Sequence, residues 1–506
     1  MFANYSIFAM LGAAVLGALV CLALPRPRHV LRLIVLVSAI ELGLAANVWV
    51  GVLGNGFVTA ADGWFYIDAF SAFYLIVLVL VFLLSSTFAG VYFIHEIGEH
   101  GEAGEHDFTL AVAHRFGALW LGSLTAMMLV LVSNNLGIMW VGMEATTLLS
   151  AFLISLHPSR LSLEAMWKYL IICSVGIAFA FIGTIFAAAS VQTAGGIPAD
   201  ALFWTRLASA DVQLDPLLMK FAFIFILVGY GTKTGLAPIH SWLPDAHSQA
   251  PTPVSAMFSG FLLNTALYCI MRFVPPARHA LGADFTDGLL IFFGTLSILV
   301  AAGFIVFQSD AKRLLAYHSV EHLGIIALGF GLGPLGTFAA LFHTLNHSVC
   351  KSLAFFAVGR LGQQFGSHEM HMLSGALRAD RLWGIALLGS VLALIGVAPF
   401  SVFMSEYQLL RAAAGAGKWL VLVLFLAASS VVFLSALRHL IDMAYGDPKS
   451  PMADGAADAR LGEQDGKAGV LIVVSAIGLL VLLGLWMPVW FKGALWSAAA
   501  VLGARV

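Results

Sequence analysis

Long apolar stretches separated by short polar links dominate the chain. The apolar runs are roughly 18 to 25 residues long, the length that a helix needs to cross a hydrocarbon core about 30 Å thick. They are too long and too uniformly apolar for the strands of a barrel. The pattern predicts an all-α polytopic membrane protein with about fourteen transmembrane helices, near 5–24, 30–52, 68–94, 116–133, 135–157, 164–191, 216–234, 251–273, 287–308, 314–332, 335–360, 381–397, 417–445 and 469–490.

Composition supports this prediction. Of the 506 residues, 60% are hydrophobic and only 10% are charged, whereas a soluble domain carries about 25% charged residues. The net charge of −2 and the lack of a long basic run predict no nucleic-acid partner. The cysteines stand singly within apolar runs, which argues against an iron–sulfur cluster or a disulfide framework in this chain; they are Cys21, Cys173, Cys269 and Cys350.

Charge asymmetry between the links predicts which side of the membrane each lies on. Alternate links hold most of the basic residues, including Arg26, Arg28 and the Lys312–Arg313 pair. The positive-inside rule places these links in the cytoplasm and both termini outside. The Glu- and His-rich link at 95–114 is then cytoplasmic, either as a solvated loop or as a segment that binds a metal or a partner.

Two spans are interrupted by glycine and proline beside a charged residue. They are GTKTGLAPIHSWLP (231–244), which contains Lys233, and GVAPFSVFMSEYQLL (396–410), which contains Glu406. Each has an Ala-Pro step, at 237–238 and at 398–399. A pair of interrupted helices in two halves of a chain indicates inverted repeats and ion sites in transporters.

Several ionisable residues fall inside spans, where each charge costs roughly 2.5–3.5 kcal/mol on insertion scales. Lys168 lies near the start of its span and can reach the membrane surface. A single buried histidine is more often a satisfied core residue than a proton carrier, but the set together favours a proton or ion pathway. The candidates are Glu144, Lys168, Lys233, His240, His318, Glu321, His322, His343, His347, Lys351 and Glu406.

The spacing of the candidates in the second half places them on shared helix faces. His343, His347 and Lys351 follow at intervals of four, and His318, Glu321 and His322 at i, i+3 and i+4. Ionisable stripes on facing helices can hold water and protons, because histidine titrates near neutral pH. The letters H-x-x-E-H at 318–322 also match a zinc peptidase motif. That chemistry needs a third ligand and a water-filled cleft, so no metal is predicted in this mid-span setting.

The stretch GTKTGLAPIHSWLPDAHSQAPTPVSAMFSG (231–260) resembles the antiporter-like subunits shared by respiratory complex I, Mrp cation/proton antiporters and membrane-bound group 4 hydrogenases. NNLGIMWVGMEATTLLSAFLISL, SLEAMWKYLIICSVGIA, KRLLAYHSVEHLGII and HTLNHSVCKSLAFFAVGRL support the resemblance. It covers roughly residues 60 to 445. Within the family, the chain is most similar to the F subunits of the hydrogenase-4, or formate-hydrogenlyase, type.

The resemblance implies two inverted five-helix repeats, each with one broken helix. The regions are N-terminal helices with the acidic loop (1–115), a first repeat (116–273), a second repeat (287–445) and a cytoplasmic loop with a C-terminal helix (446–506). It also implies a Glu144–Lys233 pair near the first broken helix and Glu406 beside the second. The central protonatable residues of the second repeat fall on His322, His343, His347 and Lys351.

One position departs from the family pattern. Relatives that pump protons usually carry a lysine in the helix after the signature, and here that place is held by Asn264. An amide orients water but carries no charge. Our hypothesis is that His318 and Glu321 supply the missing protonatable groups.

The implied function is proton translocation by a non-catalytic, antiporter-like subunit of a group 4 hydrogenase complex related to complex I. No cofactor is expected in this chain, since a nickel–iron centre and iron–sulfur clusters would lie in partner subunits. The expected partners are other membrane subunits, a peripheral redox arm, the lipid bilayer, and protons or Na⁺. The expected location is a bacterial or archaeal cytoplasmic membrane. The alternatives are an Mrp-type cation/proton antiporter module, a subunit of another complex such as one for inorganic-carbon uptake, and a structural subunit that does not pump.

Overall fold

The computed structural model describes residues 2–97, 108–191, 198–447 and 466–504. Half of the acidic link at 95–114 and most of the link that holds Lys449 and Arg460 lie outside these residues. The described chain is mainly a bundle of long helices. The first ten helices are α1 (Phe2–Cys21), α2 (Pro27–Asn55), α3 (Ala69–Ile94), α4 (Leu110–Val132), α5 (Leu136–Ile154), α6 (Arg160–Ala189), the short α7 (Trp204–Leu207), α8 (Pro216–Thr234), α9 (Trp242–Gln249) and α10 (Thr252–Met257).

A π-helical turn, Phe258–Leu262, joins α10 to the next helix, so that the three form one continuous rod. The remaining helices are α11 (Leu263–Leu281), α12 (Ala283–Ile305), α13 (Ala311–Phe330), α14 (Gly333–Phe365), the short α15 (Ala376–Ala379), α16 (Arg381–Leu394), α17 (Ser401–Gly415), α18 (Trp419–Tyr445), α19 (Gly466–Leu485) and α20 (Val489–Val501). Every predicted apolar span falls on a helix, so the all-α polytopic prediction is confirmed.

Eleven helices within the described residues are long and apolar enough to cross a membrane. The long helices α13 and α14 are not among them, and neither is the shorter α16. These three coincide with predicted spans, but the count of fourteen crossings and the inverted repeats stay predictions. The two long exceptions are the helices that carry most of the candidate pathway residues, because those residues lower their mean hydropathy.

Both predicted interruptions are present. Helix α8 stops at Thr234, where Gly235 takes a left-handed conformation (φ +83°), and the chain resumes as α9 at Trp242. Helix α16 stops at Leu394, Gly396 has φ +71°, and the chain resumes as α17. A positive φ is accessible to glycine without steric cost, which explains why the helices end there. Both Ala-Pro peptide bonds are cis.

A small hairpin and a terminal helix mark one end of the bundle, which we call the hairpin end. Strands β1 (Phe57–Ala60) and β2 (Phe65–Asp68) pair antiparallel between α2 and α3. The backbone carbonyl of Trp64 accepts a hydrogen bond from the backbone N–H of Asn134 at 2.9 Å. Arg278 binds the carbonyl of Leu502 at 2.8 Å, which ties α20 to the same end. The sequence pattern predicted neither the hairpin nor α20.

We call residues 116–273 the first half of the bundle and residues 287–445 the second half. A buried ion pair anchors the hairpin to the first half. Arg272 of α11 donates to both carboxylate oxygens of Asp68, at 2.6 and 2.9 Å, and to the Tyr268 hydroxyl at 2.8 Å. The Trp204 ring covers the guanidinium at 4.4 Å. A bidentate arginine–carboxylate contact of this kind fixes geometry strongly. Helix α11 continues past this contact, through Pro275 and Pro276, to Leu281, beyond the predicted end at 273.

Candidate functional site

In the first half, a buried lysine is held by hydroxyl groups. Lys233 has no solvent-exposed surface and lies in the last turn of α8, where a helix C-terminus favours a cation. Its Nζ donates to Thr147 Oγ1 at 2.9 Å and also to the Tyr169 hydroxyl. That hydroxyl lies 2.5 Å from Ser150 Oγ. The lysine is therefore solvated by side-chain oxygens of α5 and α6.

The expected Glu144–Lys233 ion pair is not formed in this structure. Glu144 is half-buried on α5, and its Oε1 accepts from Ser174 Oγ at 3.0 Å. No carboxylate in the described chain lies within ion-pair distance of Lys233. The Thr147 and Tyr169 hydroxyls take the place of the carboxylate at the amine.

Lys168 lies apart from the buried lysine. Its side chain is 46% exposed and forms ion pairs with Glu164 at 2.6 Å and Asp245 at 3.1 Å. Asp245 also accepts from Arg313 at 2.7 Å. These groups form a surface cluster at the end of the bundle opposite the hairpin, and we call that end the loop end. The structure thus does not join Lys168 to the candidate pathway.

His240 lies in the interruption between α8 and α9. Only 8% of its surface is exposed, and its ring packs 6.2 Å from Phe304 and 6.2 Å from Tyr317. Phe304 belongs to α12 and Tyr317 to α13, and both helices are part of the second half. His240 is therefore at the boundary between the halves rather than in the Lys233 cluster.

At the centre, Asn264 is fully buried with one unsatisfied atom. Its Nδ2 donates to the Gly260 carbonyl at 3.2 Å and to Ser348 Oγ at 3.4 Å, whereas its buried Oδ1 has no hydrogen-bond partner. Five residues before Asn264, Ser259 lies in the π-helical turn and shares a hydrogen bond of 2.7 Å with Ser319 of α13. In the described part of the chain, the groups that bond to Asn264 and Ser259 are hydroxyls and a backbone carbonyl, and none of them carries a charge.

In the second half, imidazole rings connect three helices. His318 Nδ1 and Glu321 Oε2 are 3.0 Å apart on α13. His322 Nδ1 and His343 Nε2 share a hydrogen bond of 2.8 Å between α13 and α14, and His343 Nδ1 meets Ser405 Oγ of α17 at 2.9 Å. All three histidines are fully buried. We call the hydrogen-bonded series His322–His343–Ser405 the histidine row. It confirms that the spaced residues of α13 and α14 face one another.

Two further members complete the stripe on α14. The His347 ring lies 5.3 Å from the His322 ring, and neither of its nitrogens has a hydrogen-bond partner. Lys351, one turn further, is fully buried and donates to the backbone carbonyl of Leu315 on α13. The predicted stripe of His343, His347 and Lys351 therefore faces α13.

Glu406 lies beside the second interruption, as the resemblance implied. It is half-buried on α17, and a side-chain atom placed on Gly396 would come within 2.5 Å of its Oε2. Ligand atoms of Glu406, His322 and His343 lie within 4.8 Å of one another. One water molecule can bridge a gap of that size, so the carboxylate can join the histidine row.

The same grouping could be read as a metal site. Two triads, His318–Glu321–His322 and His322–His343–Glu406, place ligand atoms within 4.8 Å. Nitrogens bound to one tetrahedral Zn²⁺ lie about 3.3 Å apart, given Zn–N bonds of about 2.0 Å. The 2.8 Å contact between His322 and His343 is shorter. It pairs one N–H with one lone pair, whereas metal ligands need lone pairs on both nitrogens.

Sequence reasoning missed several buried ionisable residues besides the Arg272–Asp68 pair. Glu41 lies near the middle of α2 with no exposed surface, and neither carboxylate oxygen has a hydrogen-bond partner. His247, on α9, is fully buried with both ring nitrogens unpartnered. Lys312, in the first turn of α13, is 3% exposed. Glu41 carried a signal, a lone acid in an apolar run, whereas Lys312 and His247 looked like residues of surface links.

Comparison with known proteins places these residues in context. Residues 133–432 match the family described as NADH:quinone oxidoreductase/Mrp antiporter, transmembrane. A hydrogenase-4 component F homolog from Methylacidiphilum infernorum is 38% identical over 390 residues, which cover 76% of this chain and 80% of that protein. A chain of the Mrp complex from Dietzia sp. superposes with a TM-score of 0.83 at 22% identity, over 99% of this chain and 98% of that one. A chain of an archaeal membrane-bound sulfane sulfur reductase gives 0.82 at 22% identity, over 98% and 97%.

Proposed function

The chain belongs to the NADH:quinone oxidoreductase/Mrp antiporter transmembrane family, and from that membership we propose that it translocates protons as a membrane subunit of a group 4 hydrogenase-type complex. The similarity to a hydrogenase-4 component F homolog supports this assignment within the family. The complex is of the formate-hydrogenlyase kind and related to respiratory complex I. The chain works in a bacterial or archaeal cytoplasmic membrane, with both termini outside.

The observation that carries the proposal is the histidine row. A neutral imidazole accepts a proton on one nitrogen and donates from the other. His322 and His343 are joined through such nitrogens at 2.8 Å, and His343 continues to Ser405. Protons can therefore pass along the row by rotation of rings and hydroxyls, with Glu406 and Lys351 as charged neighbours at its two sides.

The centre of the pathway needs charge that Asn264 does not supply. We propose that the bonded pair His318–Glu321 supplies it, since this pair is buried one turn from His322. Next to His318 on α13, Ser319 shares a hydrogen bond of 2.7 Å with Ser259, which lies in the π-helical turn before α11. Together with water they link this pair to the first half, where Lys233 responds to the charge.

The energy source lies outside this chain in the proposal. The four cysteines lie on four different helices, α1, α6, α11 and α14, and each is buried. Such dispersed thiols do not suit a cluster. We therefore assign the nickel–iron centre and iron–sulfur clusters to partner subunits of a redox arm, and to this chain only transport.

A direct test uses inverted membrane vesicles that contain the assembled complex. Redox-driven acidification is measured with a pH-sensitive dye for the wild type, Glu321→Gln and Glu164→Gln. Glu164 is a surface glutamate and provides the matched control. We expect Glu321→Gln to lose at least about tenfold in proton flux, a typical contribution of a positioned proton-transfer group. Unchanged flux in Glu321→Gln would remove the central role of this residue.

The identity of the complex has its own test. Mild solubilisation and affinity purification of the tagged chain should recover a nickel–iron large subunit with other membrane subunits. Recovery of antiporter subunits without any redox protein would instead support the Mrp-type alternative. The close superposition on the Mrp chain keeps that alternative open, and Na⁺-dependent transport in proteoliposomes would separate the two.

The remaining alternatives make different predictions. If the chain serves an inorganic-carbon uptake complex, no hydrogenase subunit co-purifies. If it is a structural subunit without pumping, for which Asn264 is the argument, neutralising Lys233 changes assembly but leaves proton flux intact.

A further inference from the structure

A polar cavity at the loop end lies directly outside the second half of the bundle. Its volume is about 530 Å³. The end of α9, the link before α13 and the link after α14 supply its walls, through Ser248, Gln249, Asp310, Arg313, His368 and Glu369. Burial raises the pKa of the Asp310 carboxyl above its ordinary value.

Beneath this cavity lies Lys312, a lysine with almost no exposed surface. Its Nζ donates to the backbone carbonyls of Ala250 at 2.6 Å and Ser248 at 3.3 Å. Both carbonyls belong to the end of α9, and Ser248 also lines the cavity. No carboxylate in the described residues forms an ion pair with Lys312, so its amine is solvated by backbone oxygens alone.

Next to these carbonyls, His247 presents two unused ring nitrogens. The ring is fully buried and stacks on Phe355 at 5.0 Å, yet neither nitrogen has a hydrogen-bond partner. Buried polar atoms usually find a partner, so each exception calls for an explanation.

Lys351 is the third buried ionisable group in this region, after Lys312 and His247. Its Nζ is anchored on the Leu315 carbonyl. Leu315 follows Lys312 by three residues on α13, which corresponds to about 4.5 Å along the helix axis. His247 directly precedes Ser248, whose carbonyl accepts from Lys312, and its ring stacks on Phe355, one helical turn after Lys351 on α14. His247 therefore neighbours both lysines.

We propose that Lys312 and His247 form the proton access route from the loop-end cavity to Lys351. The proposal rests on the proton-translocating function argued above and adds where protons join the buried pathway. The Lys312 ammonium passes a proton through water to one nitrogen of His247, and the other nitrogen releases a proton through water to the neutral amine of Lys351. A proton from the cavity then restores the Lys312 ammonium. Each N–H bond that breaks is matched by one that forms.

A purely structural role for Lys312 would be to cap the carbonyls at the end of α9. Lys312→Arg separates the two roles, because arginine keeps the charge and the hydrogen bonds but does not release its proton. We expect Lys312→Arg in the assembled complex to lose at least about tenfold in proton flux, with normal assembly. Lys220→Arg, on the exposed surface of α8, is the matched control.

His247→Phe provides a second variant that does not depend on the cap. It keeps an aromatic ring on Phe355 and removes both nitrogens, and we expect a similar loss of flux. Wild-type flux in both Lys312→Arg and His247→Phe, in vesicles where Glu321→Gln is impaired, would overturn the access route alone. Wild-type flux in Glu321→Gln as well would overturn the proposed function together with it.

The side of access is tested with Gln249→Cys, which places a thiol in the cavity wall. A membrane-impermeant, negatively charged thiosulfonate should lower proton flux when added to the loop end. The same reagent on Ala210→Cys, at the hairpin end, should have no effect. The wild type is insensitive because its four cysteines are buried. No change in labelled Gln249→Cys would contradict the cavity as the point of access.

Discussion

The two halves of the molecule bury charge in different chemical surroundings. In the first half, the amine of Lys233 is bonded to the hydroxyls of Thr147 and Tyr169, with no carboxylate in contact. In the second half, His322 and His343 bond to each other, and carboxylates lie within reach. Hydroxyl groups hold a cation but titrate far from neutral pH, whereas imidazole titrates near it. In the proposed function, the first half holds a charge and the second half passes protons.

The difference also explains what the centre lacks. A lysine at position 264 would extend the charged chain from one half to the other. Asn264 instead leaves an unpartnered carbonyl oxygen in a hydroxyl-lined region. In this chain the ionisable residues near Asn264 lie instead on α13, where His318 and Glu321 form a bonded pair.

The strongest way to break the comparison is to interrupt the histidine row. His322→Phe keeps the ring packed between its neighbours but removes both nitrogens, so we expect proton flux to fall about a hundredfold or more. The unpaired His343 nitrogen should also cost about 1–3 kcal/mol of stability. Flux is measured in vesicles and stability by thermal unfolding in detergent. His114→Phe, a half-buried histidine that bonds the Leu24 carbonyl, is the control. Full flux in His322→Phe would contradict the row as the pathway.

The second prediction concerns the first half. Lys233→Met removes the buried cation, and we expect flux to fall by about tenfold. Glu144→Gln should have a clearly smaller effect, because that carboxylate bonds Ser174 and not the lysine. The ratio of the two losses is read from the same vesicle assay. Equal losses would mean that the glutamate and the lysine act as a contact pair during transport, against the geometry described here.

A smaller effect is expected when the centre is recharged. Asn264→Lys in a Glu321→Gln background places a cation between the two halves, and we expect it to restore flux by a few-fold over Glu321→Gln alone. Asn264→Gln in the same background keeps an amide of greater length and serves as the control. If the lysine brings no recovery, the missing central charge is not what makes Glu321 necessary.

The smallest effect is expected at the surface. Lys168 forms exposed ion pairs at the loop end, and such pairs contribute little because water screens them. Lys168→Met should leave proton flux and thermal stability unchanged within error. A loss of flux without loss of assembly would return Lys168 to the pathway.

Much of the fold was predictable because it depends on local signals. Apolar runs of sufficient length indicated the spans, and the Gly-Pro combinations near Lys233 and Glu406 indicated both interruptions. The stripes of His343, His347 and Lys351 followed from helical periodicity alone. Family resemblance added the importance of Asn264, which no composition argument would single out.

The missed features depend on long-range contacts. Tyr169 reaches Lys233 from another helix, so the sequence around either residue does not reveal the bond that replaces the carboxylate. Lys312 looks like a surface residue beside Arg313, and only the carbonyls of α9 show that it is buried. The hairpin Phe57–Asp68 depends on Arg272, more than 200 positions along the chain.

The polarity of the two helices that carry most of the candidate pathway residues affects how the chain is inserted into a membrane. Helices α13 and α14 do not meet the hydropathy expected of an independent membrane span, so each is a poor substrate for insertion by itself. The apolar α12 precedes them, and Gly294 and Gly324 bring its backbone against that of α13 with no room for a side chain. The polar side chains of α13 bond instead towards α14, as His322 does to His343. Helix α13 therefore has one side that packs closely on an apolar helix already made, and its polar contacts are completed only when α14 follows.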